Sequence, residues 1–239
     1  HRDMPVTPLD SQHTPDAQGT CREQSRWALV RGRPELIAAL LHRVFVSRYL
    51  AAGLVVLAAA WLGPLPALAS HSFSAHMTMH LAVVAVGAPL IARGVAGSRF
   101  DPVRVAPRVF APIPASIAEF AVVWAWHAPA LHHAARQQTA AFVAEQGTFL
   151  IAGLWLWIAV CGGEPHLRLV RAASGVVALL LTSMHMTLLG ALLALAPRPL
   201  YGHGIAGVGR VEWTTGGSSA LGDQQLGGTI MLLVGGAVY

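Results

Sequence analysis

The feature that most limits what this chain can become is a series of apolar runs, each close to bilayer length, separated by short loops that hold nearly all of its charge. A helix needs about 20 mostly apolar residues to cross the hydrocarbon core. Runs of that kind lie at about 49–69, 73–92, 109–127, 139–161, 172–196 and 224–239, the last being short for a full span. The chain is 54% hydrophobic and 11% charged, against roughly 25% charged residues in a soluble domain, so it cannot cover a water-facing surface. The sequence predicts an all-α, polytopic transmembrane helix bundle of about six spans, in contact with the lipid bilayer.

Two regions are expected. Residues 1–47 read as a cytoplasmic tail: 1–33 lack periodicity and bury little apolar surface, and Pro34–Phe45 (PELIAALLHRVF) reads as a short amphipathic helix. Residues 48–239 form the transmembrane domain. No cleavable signal peptide is expected before the first apolar run, no internal repeat is detected, and Cys21 and Cys161 imply no disulfide framework.

Orientation follows from arginine, the only basic residue type besides histidine. Arg22, Arg26, Arg31, Arg33, Arg43 and Arg48 precede the first span, Arg93 to Arg108 follow the second, and Arg168 and Arg171 follow the fourth. Short loops rich in Arg stay inside, which puts the N-terminus in the cytoplasm. The arginines form no patch with interleaved aromatics, so no nucleic-acid partner is implied.

Chemistry concentrates at the outer helix ends. The second span opens His71-Ser-Phe-Ser-Ala-His76-Met77-Thr-Met79-His80 and then becomes purely apolar. His76 and His80 are four residues apart, share a helix face and can hold one metal ion, with Met79 beside them. The third span ends Trp124-Ala-Trp126-His127, and the fifth carries Met184-His185-Met186. Glu145 lies early in the fourth span and Asp223 opens the sixth, where it also suits a helix cap. Glu119 sits halfway along the third span, and His132 and His133 read as solvated loop residues. Ionisable side chains inside a bilayer are expensive and tend to be functional. His76, His80, His127, Glu145, His185 and Asp223 all fall near the outer leaflet in this topology. Thioether with imidazole suits Cu(I), imidazole with carboxylate suits Cu(II) or Zn, and facing histidines can also hold haem.

The run Phe73-Ser-Ala-His76-Met77-Thr-Met79-His80 with Ala88-Pro89-Leu90, followed by Trp126-His127-Ala-Pro129, the Glu145 segment, Pro199-Leu-Tyr201 and Asp223-Gln224-Gln225-Leu-Gly-Gly228 with Met231, resembles the membrane-integral CtaG family of cytochrome c oxidase assembly factors associated with caa-type oxidases. The likeness covers about residues 48–239. It implies a multi-pass plasma-membrane protein, a non-enzymatic role in maturing the copper-containing oxidase, and oxidase subunits as partners. His76, His80, His127 and Asp223 fall on the family's motif residues. Where that pattern implies Glu-His, this chain has Glu145-Gln146, which removes a potential ligand. The expected copper site is His76 and His80 as a pair, closed by His127 and His185 with Met79 as a soft auxiliary. Glu145, Asp223, Met77 and Met186 are additional candidates, and the site faces the extracytoplasmic side. The alternatives are a haem-binding membrane redox protein and a copper permease.

Overall fold

The computed structural model describes residues 48–163, 168–201 and 220–239, which fall within one unit, Phe45–Tyr239. The expected tail helix at 34–45 lies outside the described residues. Among the described residues every regular element is helical: α1 (Arg48–Leu62), α2 (Leu65–Ala69), α3 (Phe73–Val95), α4 (Pro102–Val105), α5 (Pro112–His127), α6 (Pro129–Gln137), α7 (Thr139–Cys161), α8 (Arg168–Ala194) and α9 (Ala220–Val238). Three are long and apolar enough to cross a membrane: α3, α7 and Leu169–Ala194 of α8.

Two expectations are corrected. The run at 49–69 is not one helix, because Pro64 disfavours helical backbone at the residue before it. The chain breaks at Gly63-Pro64 and restarts as α2. The stretch after His127, expected as loop, is α6, with Pro129 in its first turn where a missing N–H costs nothing.

The longer helices alternate in direction. Leu50 and Gly53 of α1 lie against Gly94 and Ile91 of α3, an antiparallel pairing. His76 and Trp157 give the opposite result for α3 and α7: His76 meets Glu145, and Trp157 donates to the Val84 carbonyl, so the two run parallel. Ser116 meeting Thr182, and Glu119 meeting His185, make α5 and α8 parallel. The contact of His127 with Met77 sets α5 against α3. Helices α8 and α9 are antiparallel and meet through glycine: a Cβ on Gly228 would lie 2.5 Å from the Ala194 nitrogen, and one on Gly190 would lie 2.6 Å from the Leu232 nitrogen. Small residues let helix backbones approach this closely in a membrane.

Helix α3 changes pitch just past His80. Residues Ala82–Gly87 form a π-turn, in which Ala88 N–H reaches back to the Val83 carbonyl. In that register Pro89 would bond the Val84 carbonyl but has no N–H. Trp157 Nε1 (3.1 Å) and the Tyr239 hydroxyl (3.2 Å) donate to that carbonyl instead.

The bundle is apolar outside and polar within. Val55, Ile117, Ile151, Val176, Leu188 and Leu233 are exposed, while His76, His80, Glu119, His127, Glu145, Gln146 and His185 are buried. Buried ionisable groups facing a bundle interior are a mark of function in membrane proteins.

Candidate metal centre

The helix directions bring His76 and His80 at the start of α3, Glu145 near the start of α7, His127 at the end of α5 and Asp223 at the start of α9 to one end of the bundle. Their side chains then separate into distinct groups.

Helix α3 begins with Ser72 as its cap, the Ser72 hydroxyl accepting from Ala75 N–H at 3.3 Å. The first turns are regular α-helix, so His76 and His80 stand about 40° apart on one face. Their rings meet edge to face with centroids 4.3 Å apart. His80 Nε2 lies 2.8 Å from His76 Nε2, and Glu145 Oε1 lies 3.2 Å from the first histidine and 3.4 Å from the second. The donor atoms of His76, His80 and Glu145 all lie within 4.8 Å of one another, and all three residues are buried. Two imidazoles and one carboxylate, each able to offer an electron pair, suit a divalent zinc or copper ion.

Trp61 and Gln146 orient this group. An indole nitrogen can only donate, so Trp61 Nε1, 3.1 Å from Gln146 Oε1, fixes the amide with its NH₂ toward His80. Gln146 Nε2 lies 3.1 Å from His80 Nδ1 and 3.4 Å from Glu145 Oε2. His80 Nδ1 therefore accepts, and in the neutral ring the proton sits on Nε2, facing His76 and Glu145. A metal on Nε2 needs that proton moved to Nδ1 and the Gln146 amide turned over, which breaks the bond from Trp61. Gln146 thus clamps the His80 tautomer and offers no imidazole of its own, while the same helix still contributes Glu145.

The remaining candidates lie elsewhere. His127 donates from Nδ1 to the Val123 carbonyl (2.7 Å), and its Nε2 faces Met77 Sδ at 3.4 Å. Met186 lines the same small cavity as Met77, His80 and His127. Met79 is fully buried but does not line that cavity. At 3.6 residues per turn Met77 stands about 60° from His80 on one flank of α3 and Met79 about 60° from His76 on the other. His185 pairs with Glu119, Nε2 to Oε2 at 3.0 Å, and does not enter the group formed by His76, His80 and Glu145. Asp223 is a cap, though of α3 and not of its own helix. Its carboxylate accepts from the hydroxyls of Ser72 (2.9 Å) and Ser74 and from the backbone N–H of Phe73 and Ser74, a favourable place for a negative charge.

His132 departs from expectation. It is buried on α6, its ring 5.2 Å from that of His76, 5.5 Å from Phe73 and 4.3 Å from Tyr201. Burial first, then the neighbouring His76 and Arg136, lowers its pKa to about 2. The signal missed was the Pro129 helix start, which folds His132 inward. Tyr201 roofs the site, donating its hydroxyl to the His127 carbonyl (2.8 Å) and stacking on Phe73 at 5.0 Å. Burial raises its pKa to about 12, so it keeps its proton.

Searches of curated proteins and of solved structures find no match. The model of the cytochrome c oxidase caa3 assembly factor family, Caa3_CtaG, matches residues 27–239, a stretch that contains every residue of the centre just described, and the chain belongs to that family.

Proposed function

We propose that this protein serves oxidase assembly by holding copper between His76, His80 and Glu145 and passing it to a copper-bearing oxidase subunit, without catalysing a reaction of its own. The observation that carries this reading is the convergence of three donors, from two parallel helices, at one buried end of the bundle. The copper is cargo. A site of two imidazoles and one carboxylate holds a divalent ion firmly enough to carry, and the Gln146 clamp on His80 gives the proton a way to compete for the same nitrogen. That competition suits a carrier, because release needs only the return of the proton and the amide to the arrangement they have without metal.

In this proposal α1 to α9 make six plasma-membrane spans: α1 with α2, then α3, α5, α7, α8 and α9. The strict alternation of helix direction supports that count. The arginine-rich flanks support an N-terminus in the cytoplasm, which puts the metal end on the extracytoplasmic side. A shallow site of this kind hands over its ion without moving it across the hydrocarbon core. The same imidazoles are the natural ligands for haem, the competing cargo. What favours copper is crowding, since three donor groups within 4.8 Å of one another leave no slot for a porphyrin between two of them.

The test is metal analysis and an optical spectrum of the same purified sample. The expected result after loading with Cu(II) is about one equivalent of divalent copper that is lost in His76→Ala and His80→Ala, with no Soret band. Copper bound undiminished by both variants overturns the assignment of the site, and a Soret band with reducible α and β bands overturns the cargo.

A further inference from the structure

Behind the histidine–carboxylate centre lies a second, chemically different group. Three of the chain's methionines, Met77 on α3, Met186 on α8 and Met231 on α9, come from separate helices to line one buried cavity of about 10 Å³, together with His127 and His80. Each of the three is only 2% exposed. The other two methionines of the described region do not join them: Met79 is buried on the other flank of α3, and Met184 is 67% exposed.

A methionine in a core is ordinary filler, so its presence alone means little. The informative contact is the one between His127 and Met77. The Val123 carbonyl can only accept, so His127 Nδ1, 2.7 Å away, carries the ring's proton. Nε2 of the neutral ring is then a bare lone pair. It points at Met77 Sδ 3.4 Å away, and a thioether sulfur has no hydrogen to give. Two acceptors face one another in a site sealed from water. A buried polar atom left in that condition is costly, and a cation between the two relieves it.

The arrangement of His127 is also that of a metal ligand. Histidines that bind metals donate their second ring nitrogen to a carbonyl or carboxylate, which fixes the tautomer and aims the free nitrogen. Val123 plays that part here. The donor set decides the ion: thioether and imidazole without carboxylate select a soft monovalent ion, Cu(I) in biology and Ag(I) as its surrogate. The cavity has room for about one water-sized sphere, so the guest is a single ion.

We infer that His127 with Met77, Met186 and Met231 forms a second metal site, specific for Cu(I), adjoining the His76–His80–Glu145 centre across the ring of His80. It extends the copper reading above to a second position and rests on that reading for its biological meaning, but its donor set is independent. His127 thus belongs to the sulfur site and not to the carboxylate one. The protein then holds two ions of different character side by side, with His80 as the shared wall, and ring centroids 6.5 Å apart separate His80 from His127.

The test uses the whole chain in detergent or nanodiscs, titrated anaerobically with Cu(I) against a competing Cu(I) chelator and, separately, with Zn(II). X-ray absorption at the copper edge reads the ligands. The expected result is a sulfur shell around bound Cu(I) in the wild type. The combined Met77→Leu, Met186→Leu and Met231→Leu variant should lose that shell and at least about tenfold of Cu(I) affinity while binding Zn(II) as before. Leu for Met conserves volume and is well tolerated, and unchanged Zn(II) binding certifies the fold. Glu145→Gln should do the reverse, losing Zn(II) and keeping the sulfur-bound Cu(I). Cu(I) coordinated only by nitrogen and oxygen in the wild type, or bound undiminished by the triple variant, overturns the sulfur site. Absent Zn(II) binding with the sulfur shell intact counts against the carboxylate centre alone.

Discussion

Two carboxylates meet imidazole inside this bundle, and they do so differently. Glu145 meets two histidines, and its surroundings are ordered by Gln146 and, through it, Trp61. Glu119 meets one, His185, and the pair is left incomplete: among the described residues Glu119 Oε1 and His185 Nδ1 have no hydrogen-bond partner. A carboxylate with a single histidine is a polar cross-link between α5 and α8. A carboxylate with two histidines on one helix face has the donor arrangement of a chelate. The difference comes from spacing, since α3 offers a second imidazole one turn on, while α8 offers methionines on either side of His185 that point to other faces.

The comparison predicts opposite consequences for similar substitutions. Leaving the buried partner of a hydrogen bond unsatisfied costs about 1–3 kcal/mol, and the lost side chain leaves a cavity besides, so Glu119→Ala should strongly lower thermal stability yet leave metal stoichiometry untouched. A loss of metal in that variant, with the protein still folded, would erase the distinction between the two carboxylates. Glu145→Gln keeps the shape and removes the charge. It should weaken divalent metal binding by more than about 100-fold, since loss of a mere supporting partner already costs 10–100-fold, and a chelator competition assay reads it directly.

Trp61→Phe sharpens the contrast from the other side. Without the indole N–H the Gln146 amide is free to turn its carbonyl toward His80, which lets Nδ1 carry the proton and Nε2 bind metal. Divalent affinity should rise by about tenfold, and the same substitution should not affect a metal-free property of the Glu119–His185 pair such as the stability lost in Glu119→Ala. A fall in affinity would show that the indole supports the bound state instead.

The smallest effect concerns pH. His132 is held neutral in the fold, with a pKa near 2 against about 6.5 when unfolded. The unfolded chain therefore binds a proton below pH 6.5 that the folded chain refuses, so this contribution to stability is intact above pH 6.5 and declines as the pH falls below it. One unit lower the loss is about 1 kcal/mol. The metal-free wild type should lose more stability than His132→Phe between pH 7.5 and 5.5, and equal slopes for the two would refute the assignment.

The amino-acid order by itself determined the class of fold, because helix-length apolar runs with few charges have no soluble solution. It also determined that chemistry gathers at one bundle end, since His76, His80, His127, Glu145 and Asp223 all stand near the ends of their runs. The i, i+4 spacing of His76 and His80 was enough to pair them. The partition of those residues was decided by tertiary structure. Which flank of α3 meets α5 gave Met77, and not Met79, to His127. The parallel approach of α7 brought Glu145 to the histidines, and that of α8 sent His185 to Glu119. Asp223 was spent on capping α3, a helix remote from it in the chain. Each outcome depends on the rotation of one helix about its axis relative to another. That rotation is fixed by packing among many side chains at once, through contacts such as Gly190 with Gly228, whose pairing neither helix's own sequence specifies.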